Sequence, residues 1–203
     1  MNQKILWVVK LGGSLAESPH LPRWLDALSQ TEAVIVPGGG PFADAVREAQ
    51  ACWGFDDHTA HHMAILAMRQ YGLMLAGLNP KLMLAETQAL YKHSSQARIW
   101  LPDPRELDQA GIPVSWDVTS DTLAAWLTTE IQAANLLLVK SVALKPTTSV
   151  YRFAQLLDQG WVDPVFEEYA ANQCFQSWLC GSDEFRRLAQ GTNEPNQFFA
   201  RIR

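Results

Sequence analysis

The chain has 203 residues, 48% of them hydrophobic and 18% charged, which is enough apolar material for a packed core and excludes a disordered chain. Sixteen basic against 21 acidic residues leave a formal net charge of −5, which argues against a broad electrostatic surface for nucleic acid and requires any anion site to be local. Cys52, Cys174 and Cys180 lack CxxC spacing and fit neither a disulfide framework nor a zinc knuckle, so a reducing, cytoplasmic location is expected.

The first apolar run, Ile5 to Val9, is too short for a signal-peptide core and closes at Lys10. Met63 to Leu78 is the longest mostly apolar stretch, yet Arg69 and Gln70 break it and it falls short of the roughly 20 residues a membrane span requires. No membrane association is expected. In chain order, strand-length apolar runs occur at KILWVVKL, AVIVPG, KLMLA, ARIWLP and NLLLVKSV, with helical periodicity in several of the longer segments between them. The runs are continuously apolar, the pattern of a sheet covered on both faces. They predict an α/β fold, a three-layer αβα sandwich with a mainly parallel central sheet, in a single domain over residues 1–203. The clearest helix spans Asp57 to Leu78, where Ala60, Ala64, Ala67, Tyr71, Leu75 and Leu78 recur at spacings of three and four. A second runs from Ser120 to about Ile131, with Ser120 or Thr119 as N-cap. Most of the tryptophans fall in predicted elements, where core packing is expected of them.

Four stretches carry candidate chemistry. Lys10, Gly12, Gly13 and Ser14 lie where the first strand passes into a turn; the glycines let backbone N–H groups approach a phosphate, and the lysine adds a neutralising charge. A tight turn alone is the simpler alternative. In AVIVPGGGPFADAVREA, Gly38, Gly39 and Gly40 precede a helix whose positive end would favour an anion, unless they form only a hinge. Neither a GxGxxG pattern nor a Walker loop is present there. IPVSWDVTSDTLAAWL places Asp117 and Asp121 four apart at a helix start, where Asp121 is either a dipole partner or a carboxylate that positions a lysine. Lys140 closes NLLLVK as Lys10 closes the first strand, as a functional cation or an exposed strand-end residue.

Taken in order, VVKLGGS, VPGGGPFAD, TSDTLAAW and NLLLVKSV resemble the amino acid kinase superfamily, which includes acetylglutamate, aspartate, uridylate and isopentenyl phosphate kinases, and CFQSWLCGSDEFRRLAQG resembles the closing strand and helix of that fold. The resemblance implies that Lys10 stabilises a transferring phosphoryl group, that Gly12, Gly13 and Ser14 lie on the nucleotide side, and that Gly38, Gly39 and Gly40 hold the acceptor. It further implies that Asp121 organises the catalytic lysines and that Asp117 contacts the acceptor. ATP is the expected donor, with Mg²⁺ as its counter-ion, in direct in-line transfer. Two departures stand out. Many relatives continue past the strand at Asn135 to Val139 with threonine, aspartate, valine and glycine, where this chain reads VKSVALKP. Many also carry a second catalytic lysine nearer the C-terminus, where this chain has QLLDQGWVDPVFEEYA; Lys140 or Lys145 is the substitute that charge alone suggests.

Within the superfamily, GGGPFAD, DDHTAHHMAILAMRQYG, SWDVTSDTLAAWL and GWVDPVF most resemble a small group related to the methanofuran-pathway kinase, which converts aminomethylfuran-methyl phosphate to the diphosphate. An acceptor of that kind would set its phosphate at the triple glycine and its amine against a carboxylate such as Asp117. His58, His61 and His62 share one stretch of helix; metal ligation is not expected of them, and His61 or His62 would face the acceptor phosphate. The alternatives are a uridylate or isopentenyl phosphate kinase-like enzyme, or a noncatalytic nucleotide- or oxyanion-binding protein on the same fold. Relatives commonly associate through helices near the first glycine turns, so a homo-oligomer is implied.

Overall fold

The computed structural model describes residues 6–142, 144 and 150–203; Lys145 lies outside them. Trp7–Leu11, buried throughout, forms β1 at the middle of the sheet. Val34–Pro37 (β2), Met83–Ala85 (β3), Arg98–Trp100 (β4), Asn135–Lys140 (β5), Val150–Tyr151 (β6), Gln176–Gly181 (β7) and Ala200–Ile202 (β8) complete it in the order β3-β4-β2-β1-β5-β7-β8-β6. Every pairing is parallel except β7 with β8. The helices are α1 (Leu21–Leu28), α2 (Gly40–Trp53), α3 (Asp57–Leu78), α4 (Thr87–Leu90), α5 (Pro104–Gln109), α6 (Ser120–Glu130), α7 (Phe153–Asp158), α8 (Phe166–Ala170), α9 (Leu188–Gly191) and α10 (Pro195–Phe198).

Strand alternation sorts the side chains into two cores. Trp7, Val9 and Leu11 of β1 enter one with Trp24 and Leu28 of α1 and Trp178 of β7. Val8 enters the other with Leu136 and Leu138 of β5 and Leu123 and Leu127 of α6. The result is the αβα sandwich expected from the continuously apolar runs. By the same period of two, Lys10 lies on the face of Val8 and Lys140 on the face of Leu136 and Leu138, so both lysines share the side covered by α6.

The long helix has the bounds its periodicity predicts, Asp57–Leu78, with the Asp56 carboxylate accepting from the Thr59 N–H at 2.8 Å as N-cap. The second predicted helix ends one residue early, at Glu130. β6 and β8, two and three residues long, carry too little pattern to be read from sequence. Among the tryptophans, Trp7, Trp24, Trp100 and Trp178 are buried in the cores, whereas Trp53 is 80% exposed. β2 pairs with one side of β1 and β5 with the other, so the chain reverses its winding there, and a crevice opens beyond the carboxyl ends of these strands.

Candidate active site

Lys10 and Lys140 end neighbouring parallel strands, and the carboxylate of Asp121, in the first turn of α6, lies between their ammonium groups. Asp121 Oδ1 is 2.9 Å from Lys10 Nζ and Oδ2 is 2.6 Å from Lys140 Nζ. The Lys140 contact is a hydrogen bond; the Lys10 contact is an ion pair whose angles leave Oδ1 with no hydrogen-bond partner among the described residues. The side chains of Lys10, Asp121 and Lys140 are only 6%, 5% and 14% exposed. Burial raises the Asp121 carboxyl pKa, but Lys10 and then Lys140 outweigh it and hold the group below its ordinary value. Burial pulls Lys140 down to about 8, with Asp121 opposing and Lys10 assisting. Two cations and one anion leave this centre net positive inside a chain of net charge −5.

The glycine turns after β1 and β2 pack backbone against backbone. A Cβ on Gly13 would fall 2.5 Å from Gly40 N, and one on Gly38 2.4 Å from Gly13 N. Gly40 has φ +55, and a Cβ on Gly39 would strike the Ala43 Cβ at 2.3 Å. Gly38 donates its N–H to Leu11 O at 2.9 Å, which ties the second turn to the end of β1. Gly13 and Gly40 open helical turns, where the first N–H groups have no intrahelical partner and remain available to an anion. Ser14 Oγ and Ser141 Oγ, 3.0 Å apart, tie the first turn to the end of β5. Gly12 is the least constrained of the set, since its added Cβ would meet nothing closer than Val139 O at 3.4 Å.

A cavity of about 510 Å³ opens among Gly13, Ser14, Gly39, Gly40, His61 and Ser120. Its wall is apolar at Ile65, Met68, Val118 and Leu123 and charged at Glu17, Asp44 and Arg47, the last stacked over Trp116 at 4.4 Å from the ring centroid. Lys10, Asp121 and Lys140 are not part of this lining. His61 is buried, which lowers its pKa despite a hydrogen bond at the Ser115 backbone and the nearby Asp108, so the ring facing the cavity is neutral at pH 7. His62 instead turns to Asp108, at 2.9 and 3.1 Å from its two oxygens. His58, His62 and Asp108 bring ligand atoms within 4.8 Å of one another, a group among the described residues that could hold a metal ion. Asp117 is exposed and outside the cavity lining, between Trp116 and Val118, which do line it.

Glu17, Arg47, Trp116 and Asp163 take their places at or beside the site only through the fold. Trp116 and Asp163 lie in SWDVTSD and GWVDPVF, segments whose local pattern carries no sign of the contacts these side chains make. Thr119 is the N-cap of α6 by backbone position, yet its hydroxyl donates to Asp163 instead of capping its own helix.

Many solved structures share the fold. The UMP kinase of Bacillus anthracis superposes with a TM-score of 0.71 at 17% identity, over 98% of this chain and 95% of that one. The uridylate kinase of Archaeoglobus fulgidus gives 0.71 at 15%, over 97% and 99%. The UMP kinase of Ureaplasma parvum gives 0.67 at 15%, over 98% and 99%. No curated protein matches the sequence itself. Residues 6–143, which carry Lys10, both glycine turns, Asp121 and Lys140, match the amino acid kinase family, and the chain belongs to that family.

Proposed function

We propose that the protein transfers the γ-phosphoryl group of ATP to the phosphate of a small phosphate monoester, producing a diphosphate. The observation that carries this reading is the pair of buried ammonium groups held on one carboxylate at adjacent strand ends, beside two turns that present free N–H groups. Phosphoryl transfer asks a protein mainly for positioning and charge neutralisation. Lys10 and Lys140 neutralise charge on the transferring group; Asp121 holds both at the required spacing. Gly12, Gly13 and Ser14 serve the nucleotide side. Gly39 and Gly40 hold the acceptor phosphate through their N–H groups, His61 lines the cavity beside it, and Gly38 keeps the turns together. An acceptor phosphate oxygen bonds to the γ-phosphorus as the bond from that phosphorus to the β,γ-bridging oxygen breaks, and ADP leaves without a covalent enzyme intermediate. Asp121 has both oxygens engaged by lysines, so Mg²⁺ fits here as an ion carried by the phosphates, where it adds neutralising charge.

For the acceptor we favour an aminomethylfuran-methyl phosphate. A flat ring suits the wall of Ile65, Met68, Val118 and Leu123, and Glu17 and Asp44 are the carboxylates in the lining that can meet an amine, a part for which exposed Asp117 is less well placed. The fold shared with UMP kinases favours a second reading, uridylate as acceptor. Incubating purified protein with ATP, Mg²⁺ and each of aminomethylfuran-methyl phosphate, UMP and isopentenyl phosphate separates them. The preferred acceptor should show the highest kcat/KM, and a preference for UMP over the furan would overturn the first choice.

Lys140 gives this reading a pH signature. The ammonium is the working form and its pKa is about 8, so kcat/KM, which reports the free enzyme, should fall as pH rises through 8. The limb in kcat should lie higher, because bound phosphates favour the charged amine. Lys140→Arg, always protonated, should remove the alkaline limb even at reduced rate. A wild-type profile flat from pH 7 to about 10 would exclude Lys140 from the transfer step.

A further inference from the structure

We propose that Asp163 is a positioning residue for the transfer centre, a carboxylate clamp that sets the first turn of α6 and through it the place of Asp121. The inference rests on reading Lys10, Asp121 and Lys140 as that centre. Asp163 is 7% exposed and comes from the segment between α7 and α8. Its Oδ2 accepts from Thr119 N at 3.0 Å, Thr119 Oγ1 at 2.8 Å and Thr122 N at 3.0 Å, and its Oδ1 accepts from Thr122 Oγ1 at 2.5 Å. Both oxygens are engaged, three of the four donors converging on Oδ2. The donors lie on the two residues that bracket Ser120 and Asp121.

This arrangement exceeds ordinary capping. No side chain within the N-cap residue of α6 serves its free N–H groups; a charged group 44 and 41 residues away does, at the positive end of the helix. The clamp grips the backbone on both sides of Asp121, whose carboxylate must meet ammonium groups from two different strands at once. A shift of the first turn would therefore move Asp121 relative to Lys10 and Lys140 without altering any group that touches substrate.

The test is Asp163→Asn in the full chain. The amide keeps the shape but presents one acceptor oxygen and an NH2 that cannot accept. We expect kcat to fall about 100-fold with KM for ATP nearly unchanged, as displacement of a reacting group by about 1 Å would do. Lys140, followed by NMR of its labelled ε-carbon, should titrate below its wild-type value of about 8, because the anion that raises its pKa is held less firmly. Thr122→Val should reproduce both effects more weakly, and Thr122→Ser, which keeps the hydroxyl, should restore most of the rate. A lower melting temperature with kcat and the Lys140 titration unchanged would make Asp163 a helix cap only and overturn the proposal. If the wild type transfers phosphoryl to no acceptor, the kinase reading fails, while the Lys140 titration in Asp163→Asn still decides whether the clamp sets the centre.

Discussion

Asp121→Ala is expected to abolish measurable transfer and to destabilise the fold by about 3–5 kcal/mol, the usual consequence of stranding a buried charge. Two ammonium groups would be left facing each other with no anion between them, because the Asp121 oxygens at 2.9 and 2.6 Å are their counter-charge. Asp121→Asn preserves shape and separates packing from charge. Its kcat should still fall by about 10³, within the range for loss of an electrostatic element of a transition-state site. The pH dependence of stability carries the same information. Because the folded Asp121 pKa lies below its ordinary 3.8, its contribution is present above pH 3.8 and is lost as pH falls through the lower folded value. Acid unfolding of Asp121→Asn, followed by circular dichroism, should lack that component. Equal acid sensitivity in variant and wild type would show that Asp121 is not held as an anion by the lysines.

The second large effect is expected at the contact between the glycine turns. In Gly13→Ala the new methyl would lie 2.5 Å from Gly40 N and 2.8 Å from Gly40 Cα, both backbone atoms with no rotamer to relieve the clash. The turns must separate, at a cost of about 1–3 kcal/mol typical of overpacking. Separation also moves the nucleotide-side donors away from the acceptor-side donors, so turnover should fall more than stability alone accounts for. Gly77→Ala is the matched control: Gly77 is exposed in α3 with no atom within 4 Å of an added Cβ, and the change should stabilise by about 0.5–1 kcal/mol. Thermal melts and initial rates for the two variants check both statements. A fully active Gly13→Ala would show that the close approach of the turns is not required.

The contrast between these features also marks what a sequence can convey. α3 is readable because 22 residues repeat one period, and β1 and β5 because their apolar runs are continuous. Lys10, Asp121 and Lys140 are each conspicuous at the end of a strand or the start of a helix. That they meet depends on β5 pairing with β1, a long-range choice on which local periodicity carries no information. The glycines announce tight turns, but that Gly13 must be small because Gly40 lies against it, and Gly38 because Gly13 does, is a fact of packing between segments. Asp163 was hidden for the same reason, since its four partners lie more than 40 residues earlier. Around Trp116 the difference is one of direction: adjacent residues point opposite ways, so Asp117 faces out while its neighbours face the cavity.

If Lys10 neutralises a phosphoryl group in flight, phosphorus NMR of ATP, Mg²⁺ and a phosphate-monoester acceptor, with wild type and Lys10→Met compared side by side, will show it. New diphosphate resonances should appear with ADP for the wild type, and Lys10→Met should still bind ATP but form product at least about 10³-fold more slowly. Equal rates for the two proteins, or ATP binding by the wild type with every acceptor left unmodified, would contradict it.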